Sequence, residues 1–312
     1  MKNRIGLIAT TAITTAVTTV LLAGCSGGVD SLNQPASGSA SNSGGGAITV
    51  GTANYTENVV LGYLYAGVLK AKGVTVTVKP NLGSREVIIP ALQHGDIDLL
   101  PEYQGSLLAY LKPDAKQSSA ADVQQALTAA LPAGLKVLPY AAAEDADVYA
   151  VTKATADKYN LHSLADLAAH NGQLVFGGPA EDQTRYAGIV GLEQVYGARF
   201  KEFKALDADG PLTKGALGKG DIDVANLFST DVDIQRKGWV VLTDPKHLIA
   251  AQHIVPLISS AKPNPAVESA LAQLNDKLTT DALSQLDSKV DNDKADPDQV
   301  AADWLKQEGI VS

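Results

Sequence analysis

The chain has 312 residues, 45% of them hydrophobic and 19% charged, with a formal net charge of -9. That apolar content supports buried cores and excludes a disordered chain, and the length accommodates two domains or one large one. The acidic balance argues against nucleic acid or an anionic lipid surface as partner, and a single cysteine excludes a disulfide framework.

In chain order, Lys2 and Arg4 precede an apolar run from Ile5 to Ala23 that closes on Leu22-Ala23-Gly24-Cys25. This reads as a signal peptide over 1–24 ending in a lipobox, with Cys25 as the lipidated residue. A retained membrane helix needs about 20 apolar residues, and here the run is diluted by threonines. The Ser/Gly/Asn-rich stretch over 25–47 reads as a flexible tether.

The folded part opens on a strand, Ile48-Thr49-Val50-Gly51, then Asn54-Tyr55-Thr56-Glu57 and an apolar-periodic helix from Val59 through Leu69. Thr56 is the predicted N-cap. Helix amides facing the end of that strand suit a ligand carboxylate, though an ordinary helix start with no ligand fits the same residues equally. Asn54 and Asn58, which flank this helix start, are candidate ligand contacts. Val74 to Val78 alternates as a strand, and a helix follows from Gly83-Ser84-Arg85-Glu86 through Leu92.

Next comes Ala91-Leu92-Gln93-His94-Gly95-Asp96-Ile97-Asp98, which returns as Ala216-Leu217-Gly218-Lys219-Gly220-Asp221-Ile222-Asp223. Each copy reads as a helix end, a Gly-Asp turn, a strand from Ile97 or Ile222, and a ring past its C-terminal end, Tyr103 or Phe228. Ligands bind at that edge of open α/β sheets. The repeat predicts two similar lobes with these rings on opposite walls of one cleft; a repeat kept for packing alone is the competing account. Between the copies, Ala120 to Ala130 is a predicted helix, while Leu135 to Leu138, Val148 to Val151 and Gln173 to Phe176 are predicted strands. Ser163-Leu164-Ala165-Asp166 is a capping box, and Ile189 to Tyr196 is a predicted helix.

After the second copy, Trp239 to Leu242 and Ile254 to Leu257 read as strands, the latter returning to the first lobe. Crossovers near 143–148 and 247–255 then make a two-strand hinge. The tail is predicted helical from Pro265 to Leu286, with a last helix to Gln307 that has Asp296 as N-cap and Pro297 in its first turn.

Catalytic and metal motifs are not found. The histidines His94, His162, His170, His247 and His253 are scattered, and no nucleophile elbow, phosphate loop or dinucleotide fingerprint is present. Asp96 with Asp98 and Asp221 with Asp223 follow turns, so structural hydrogen bonding is preferred to acid/base work. Tyr103, Tyr149 and Phe228 are rings at strand edges or crossovers, and rings facing one point attract a cation that forms no hydrogen bonds.

Val50 to Glu57, Asn81 to Ser84, Ala91 to Asp98, Pro101-Glu102-Tyr103-Gln104-Gly105 and Phe228-Ser229-Thr230-Asp231 resemble the substrate-binding lipoproteins of glycine betaine/choline/carnitine ABC importers, the ProX and OpuC group. The resemblance runs from Ile48 to the C-terminus. It implies an α/β, two-lobed periplasmic-binding-protein fold of the second type, with lobe one over 48–145 and 253–312 and lobe two over 146–252. It further implies a monomer that binds a small solute without cofactor, metal or chemistry and delivers it to ABC permease subunits. By position, Tyr103, Tyr149 and Phe228 match the family's cage rings, Ser106 stands at its last motif threonine, and Arg185 lies where an arginine meets a betaine carboxylate. Gln252 replaces the fourth cage tyrosine, and the motif lysine beside Asn54 is missing. With the cage incomplete, three readings stay open: a betaine-like osmoprotectant, a different polar or aromatic solute, and a sensory subunit. An envelope enzyme is the reading from another class.

Overall fold

The computed structural model describes residues 46–312; the expected signal peptide over 1–24, the expected lipidation site Cys25 and nearly all of the expected tether lie outside the described residues. Two five-stranded sheets organise the fold. The first lobe is built from β1 (Ile48–Gly51), α1 (Thr56–Ala71), β2 (Val76–Lys79), α2 (Arg85–His94), β3 (Leu99–Tyr103), α3 (Gln104–Leu111), α4 (Ala120–Ala130) and β4 (Leu135–Val137). The chain then forms the second lobe: β5 (Asp147–Val151), α5 (Lys153–Tyr159), a 3-10 turn over Leu164–His170, β6 (Val175–Pro179), α6 (Gly191–Tyr196), β7 (Glu202–Leu206), α7 (Pro211–Lys219), β8 (Val224–Phe228), α8 (Val232–Arg236) and β9 (Val240–Val241). It returns as β10 (Ile254–Ser259), α9 (Pro265–Asn275), α10 (Thr280–Asp291) and α11 (Pro297–Gln307).

Strand orders are β2-β1-β3-β10-β4 and β7-β6-β8-β5-β9. In each sheet three parallel strands are followed by a strand that arrives from the other lobe and runs antiparallel, β10 against β3 and β5 against β8. The two links between sheets touch through a bridge of Glu144 with His253, which makes a two-stranded hinge. α1 is almost wholly buried and packs against α9, α10 and α11, so the tail completes the first lobe's core.

The duplicated phrase is an architectural device. Gly95 and Gly220 close their helices at φ 81° and φ 77°, a left-handed conformation open to glycine at little steric cost. Thr49 N donates to Asp98 Oδ2 at 2.8 Å, and Val175 N donates to Asp223 Oδ2 at 2.8 Å. Lys79 and Lys204 each donate to the carbonyl of the first turn aspartate, Asp96 or Asp221, at 2.8 Å. Ile97 and Ile222 press on Gly51 and Gly177, where a β-carbon would lie 2.5 Å and 2.6 Å from the isoleucine Cδ1. Packing explains the repeat, and the structural role preferred for the paired aspartates is the observed one for Asp98 and Asp223.

Three local expectations differ. β3 and β8 start at Leu99 and Val224, because Ile97 and Ile222 are used as wedges against the glycines. Tyr55, not Thr56, holds the N-cap position of α1, and the Thr56 hydroxyl donates to Asp291 Oδ1 at 2.6 Å. The helix expected from Pro265 to Leu286 is two, since Thr279 caps a new start by accepting from Ala282 N. The last helix follows the sequence, with Asp296 accepting from Asp298 N.

Candidate functional site

The C-terminal edges of both sheets meet around a cavity of about 300 Å³. Tyr103 ends β3, Phe228 ends β8, and Tyr55 sits in the turn after β1, so strand register delivers three rings to one place. Tyr55 is the middle ring, its centroid 5.1 Å from Phe228 and 6.3 Å from Tyr103. The Tyr103 hydroxyl donates to Glu57 Oε1 at 2.6 Å, which leaves its ring, not its oxygen, for the cavity.

Charged groups complete the walls. Arg85 opens α2 and meets Glu102 in a bidentate pair, Nε to Oε1 at 2.9 Å and a terminal nitrogen to Oε2 at 2.9 Å. Burial alone would lower the Arg85 pKa, but the Glu102 charge outweighs it and holds the guanidinium more firmly protonated than usual. Asp147 opens β5, is paired in the sheet with Phe228, and lines the same cavity. Burial raises Asp147 above the usual carboxylate range, against the Asn226 hydrogen bond at 3.2 Å and the charges of Arg185 and Arg85. Asp147 and Glu181 face the cavity with no ion-pair partner among the described residues.

The sequence-predicted residues divide. Tyr103, Phe228, Ser106, Asn54, Asn58 and Arg185 all line the cavity. Asn58 is buried and braces the preceding loop, accepting from Ala53 N at 2.7 Å and donating to Pro101 O at 3.1 Å. Arg185 reaches across the cleft to Glu86, with contacts at 3.0 Å and 2.8 Å, so its guanidinium joins the lobes. Tyr149 does not reach the cavity. Two residues further along β5 than Asp147, it lies inside lobe two against Phe176, and its hydroxyl donates to the Ala187 carbonyl. Gln252 also lies off the cavity: its Oε1 accepts from Ser106 N at 3.0 Å and its backbone N–H donates to Glu144 Oε1 at 2.8 Å, tying the hinge to α3. Tyr55, Arg85, Glu102 and Asp147 also line the cavity and are not singled out as ligand contacts by the sequence. Tyr55 carried a usable signal, since it follows a strand end as Tyr103 and Phe228 do.

Residues 46–307 match the family model described as the substrate binding domain of ABC-type glycine betaine transport system. The chain is 26% identical over 277 residues to the glycine betaine-binding protein YehZ of Escherichia coli (strain K12), covering 84% of this chain and 90% of that protein. It is 25% identical over 272 residues to the carnitine transport binding protein OpuCC of Listeria monocytogenes serotype 1/2a (strain 10403S), covering 83% and 86%. A crystal structure of a glycine betaine/carnitine/choline ABC transporter protein matches the fold with a TM-score of 0.66 at 22% identity, over 84% of this chain and 99% of that one. The two facing sheets, the hinge and the family match together make this chain a member of the substrate binding domains of ABC-type glycine betaine transport systems.

Proposed function

We propose that the chain is an exported lipoprotein, anchored through Cys25, that takes a small solute with a quaternary ammonium head into its cleft as a monomer and presents it to the permease without a covalent step. The observation that carries the solute class is the meeting of Tyr55, Tyr103 and Phe228 at one cavity with the Asp147 carboxyl at its edge. Aromatic faces attract such a head by about 0.5–2 kcal/mol per ring, and a nearby carboxylate adds to the attraction. Within this class the cleft favours a cation without a carboxylate. Arg85 is engaged by Glu102 and Arg185 by Glu86, so neither guanidinium is free for a ligand carboxylate.

Calorimetric titration with choline, glycine betaine, carnitine and proline betaine tests this. Binding of choline ahead of the zwitterions is the expected result, and no heat with any of them sinks the proposed solute. Anchoring is tested separately by Cys25→Ser, which is expected to move the protein from the membrane fraction into the soluble exported one.

A further inference from the structure

The ring pair of Tyr55 and Phe228 separates the cleft from a second chamber of about 320 Å³. Carboxyl groups enter it from both lobes: Glu57 on α1, Asp287 and Asp291 on α10, Asp209 ahead of α7 and Asp231 after β8. Among the described residues one ammonium answers them, Lys214 Nζ, 3.3 Å from Asp231 and 3.7 Å from Asp291.

Glu57 and Asp287 form its buried centre, 3% and 9% exposed. Glu57 is occupied at both oxygens, by the Tyr103 hydroxyl at 2.6 Å and, from lobe two, by the Thr230 hydroxyl at 2.8 Å. Asp287 Oδ1 meets no donor among the described residues, and the neighbour within hydrogen-bonding reach of Asp287 is Glu57 itself. Two bare carboxylates repel at that range, whereas one proton between them makes a strong O–H···O bond. Asp209 lies beside Asp231 in the same way; its buried Oδ1 meets no donor among the described residues, whereas Asp231 Oδ2 has Lys214 Nζ at 3.3 Å.

Thr230 is the seat on the opposite lobe. Besides its hydroxyl on Glu57, its amide donates to Asp145 Oδ1 at 3.1 Å, and its carbonyl accepts from the Ser284 hydroxyl at 2.6 Å. Of these, the contacts to Glu57 and Ser284 join the two lobes, while Asp145 belongs to the hinge. We propose that this chamber is a proton-binding site that couples lobe closure to pH: closing buries the Glu57–Asp287 pair on Thr230 with one proton held between the carboxyls, and opening releases it.

The groups facing the pair support proton uptake. Asp145 on the hinge and Asp291 on α10 are like charges, Tyr103 on β3 is a neutral donor, and Asp209 and Asp231 add acid from lobe two. Lys214 pairs with Asp231 and Asp291 and makes no ion pair with Glu57 among the described residues. Burial, then the charge of Asp287, holds Glu57 well above the usual carboxylate range, and burial does the same for Asp287. Opening hydrates the pair and returns it toward ordinary values, so the closed-state pKa is the higher one. The stabilisation is therefore complete below the open-state value and is lost as pH rises through the closed-state value, by about tenfold in the closed-to-open ratio per pH unit.

The test is the interlobe distance in the solute-free full chain, so it does not depend on the solute proposed above. Spin labels at Lys70→Cys and Lys219→Cys, in a Cys25→Ser background, read it. Between about pH 9 and about pH 5 the short-distance population is expected to grow, with the transition above the ordinary carboxylate range. Asp287→Asn supplies an amide donor that does not titrate, and is expected to stay closed across the range. Thr230→Val is expected to abolish both the closed population and its pH response, with the circular dichroism of each lobe retained. A wild-type distance distribution indifferent to pH overturns the proposal, as does a pH response retained in Asp287→Asn or in Thr230→Val.

Discussion

Tyr55 lies in the turn after β1 and Tyr149 in the middle of β5, and their different surroundings show what decides which ring lines the cleft. Tyr55 leaves its strand at the sheet edge and stands between Tyr103 and Phe228. Tyr149 lies about two strand rises further from that edge, where Phe176 and the 186–190 turn cover it. Tyr55→Ala is expected to weaken binding of choline about tenfold by calorimetry, in line with one lost aromatic face. Tyr149→Phe is expected to leave that affinity unchanged and to lower thermal stability by about 1 kcal/mol, the worth of its buried hydrogen bond. Asp147→Asn, which keeps the shape and removes the charge, is expected to weaken choline more than glycine betaine. Equal loss for both solutes would show that Asp147 acts through packing.

At the scale of elements, the duplicated phrase makes a paired prediction. Gly51→Ala and Gly177→Ala each put a methyl inside contact distance of an isoleucine that also anchors the following strand. Each is expected to cost about 1–3 kcal/mol in urea unfolding, since Ile97 and Ile222 are both fully buried and must shift within the core. Asp98→Ala and Asp223→Ala are expected to cost about 1–2 kcal/mol by stripping the acceptor from Thr49 N and Val175 N. Matching losses in the two lobes would confirm that the repeat is retained for sheet assembly. The C-terminal elements show where local signals suffice. Asp296 before Pro297 determines one helix start by itself, whereas the break at Asp276 to Thr279 follows from the buried Leu278 turning into the core of α1.

For the whole molecule the lobes are joined by the hinge and by side chains that cross the cleft. The Glu86–Arg185 pair is partly exposed, so about 0.2–1 kcal/mol is a fair range for it. Burial raises the Glu86 carboxyl, but the hydrogen bonds and charge of Arg185 prevail and hold it at about 2. A depressed carboxylate stabilises above its unfolded value and fails only as pH falls toward 2, the reverse of the sign expected for Glu57 and Asp287. Arg185→Glu is expected to weaken solute binding a few-fold by calorimetry, and adding Glu86→Arg is expected to restore it. An arginine that instead held a ligand carboxylate would not be rescued by the swap.

The sequence by itself determined the alternation of strands and helices, the two-lobe duplication, most helix starts and the placement of Tyr103 and Phe228, because these rest on local periodicity, capping chemistry and an internal repeat. It did not determine which other residues face the cleft. Whether Tyr149 or Tyr55 supplies a ring, whether Arg185 is free or bound to Glu86, and whether Glu57 meets Asp287 depend on contacts between residues far apart in the chain. Only the packing of the two lobes decides those contacts, since burial and the approach of other charges are properties of the assembled molecule.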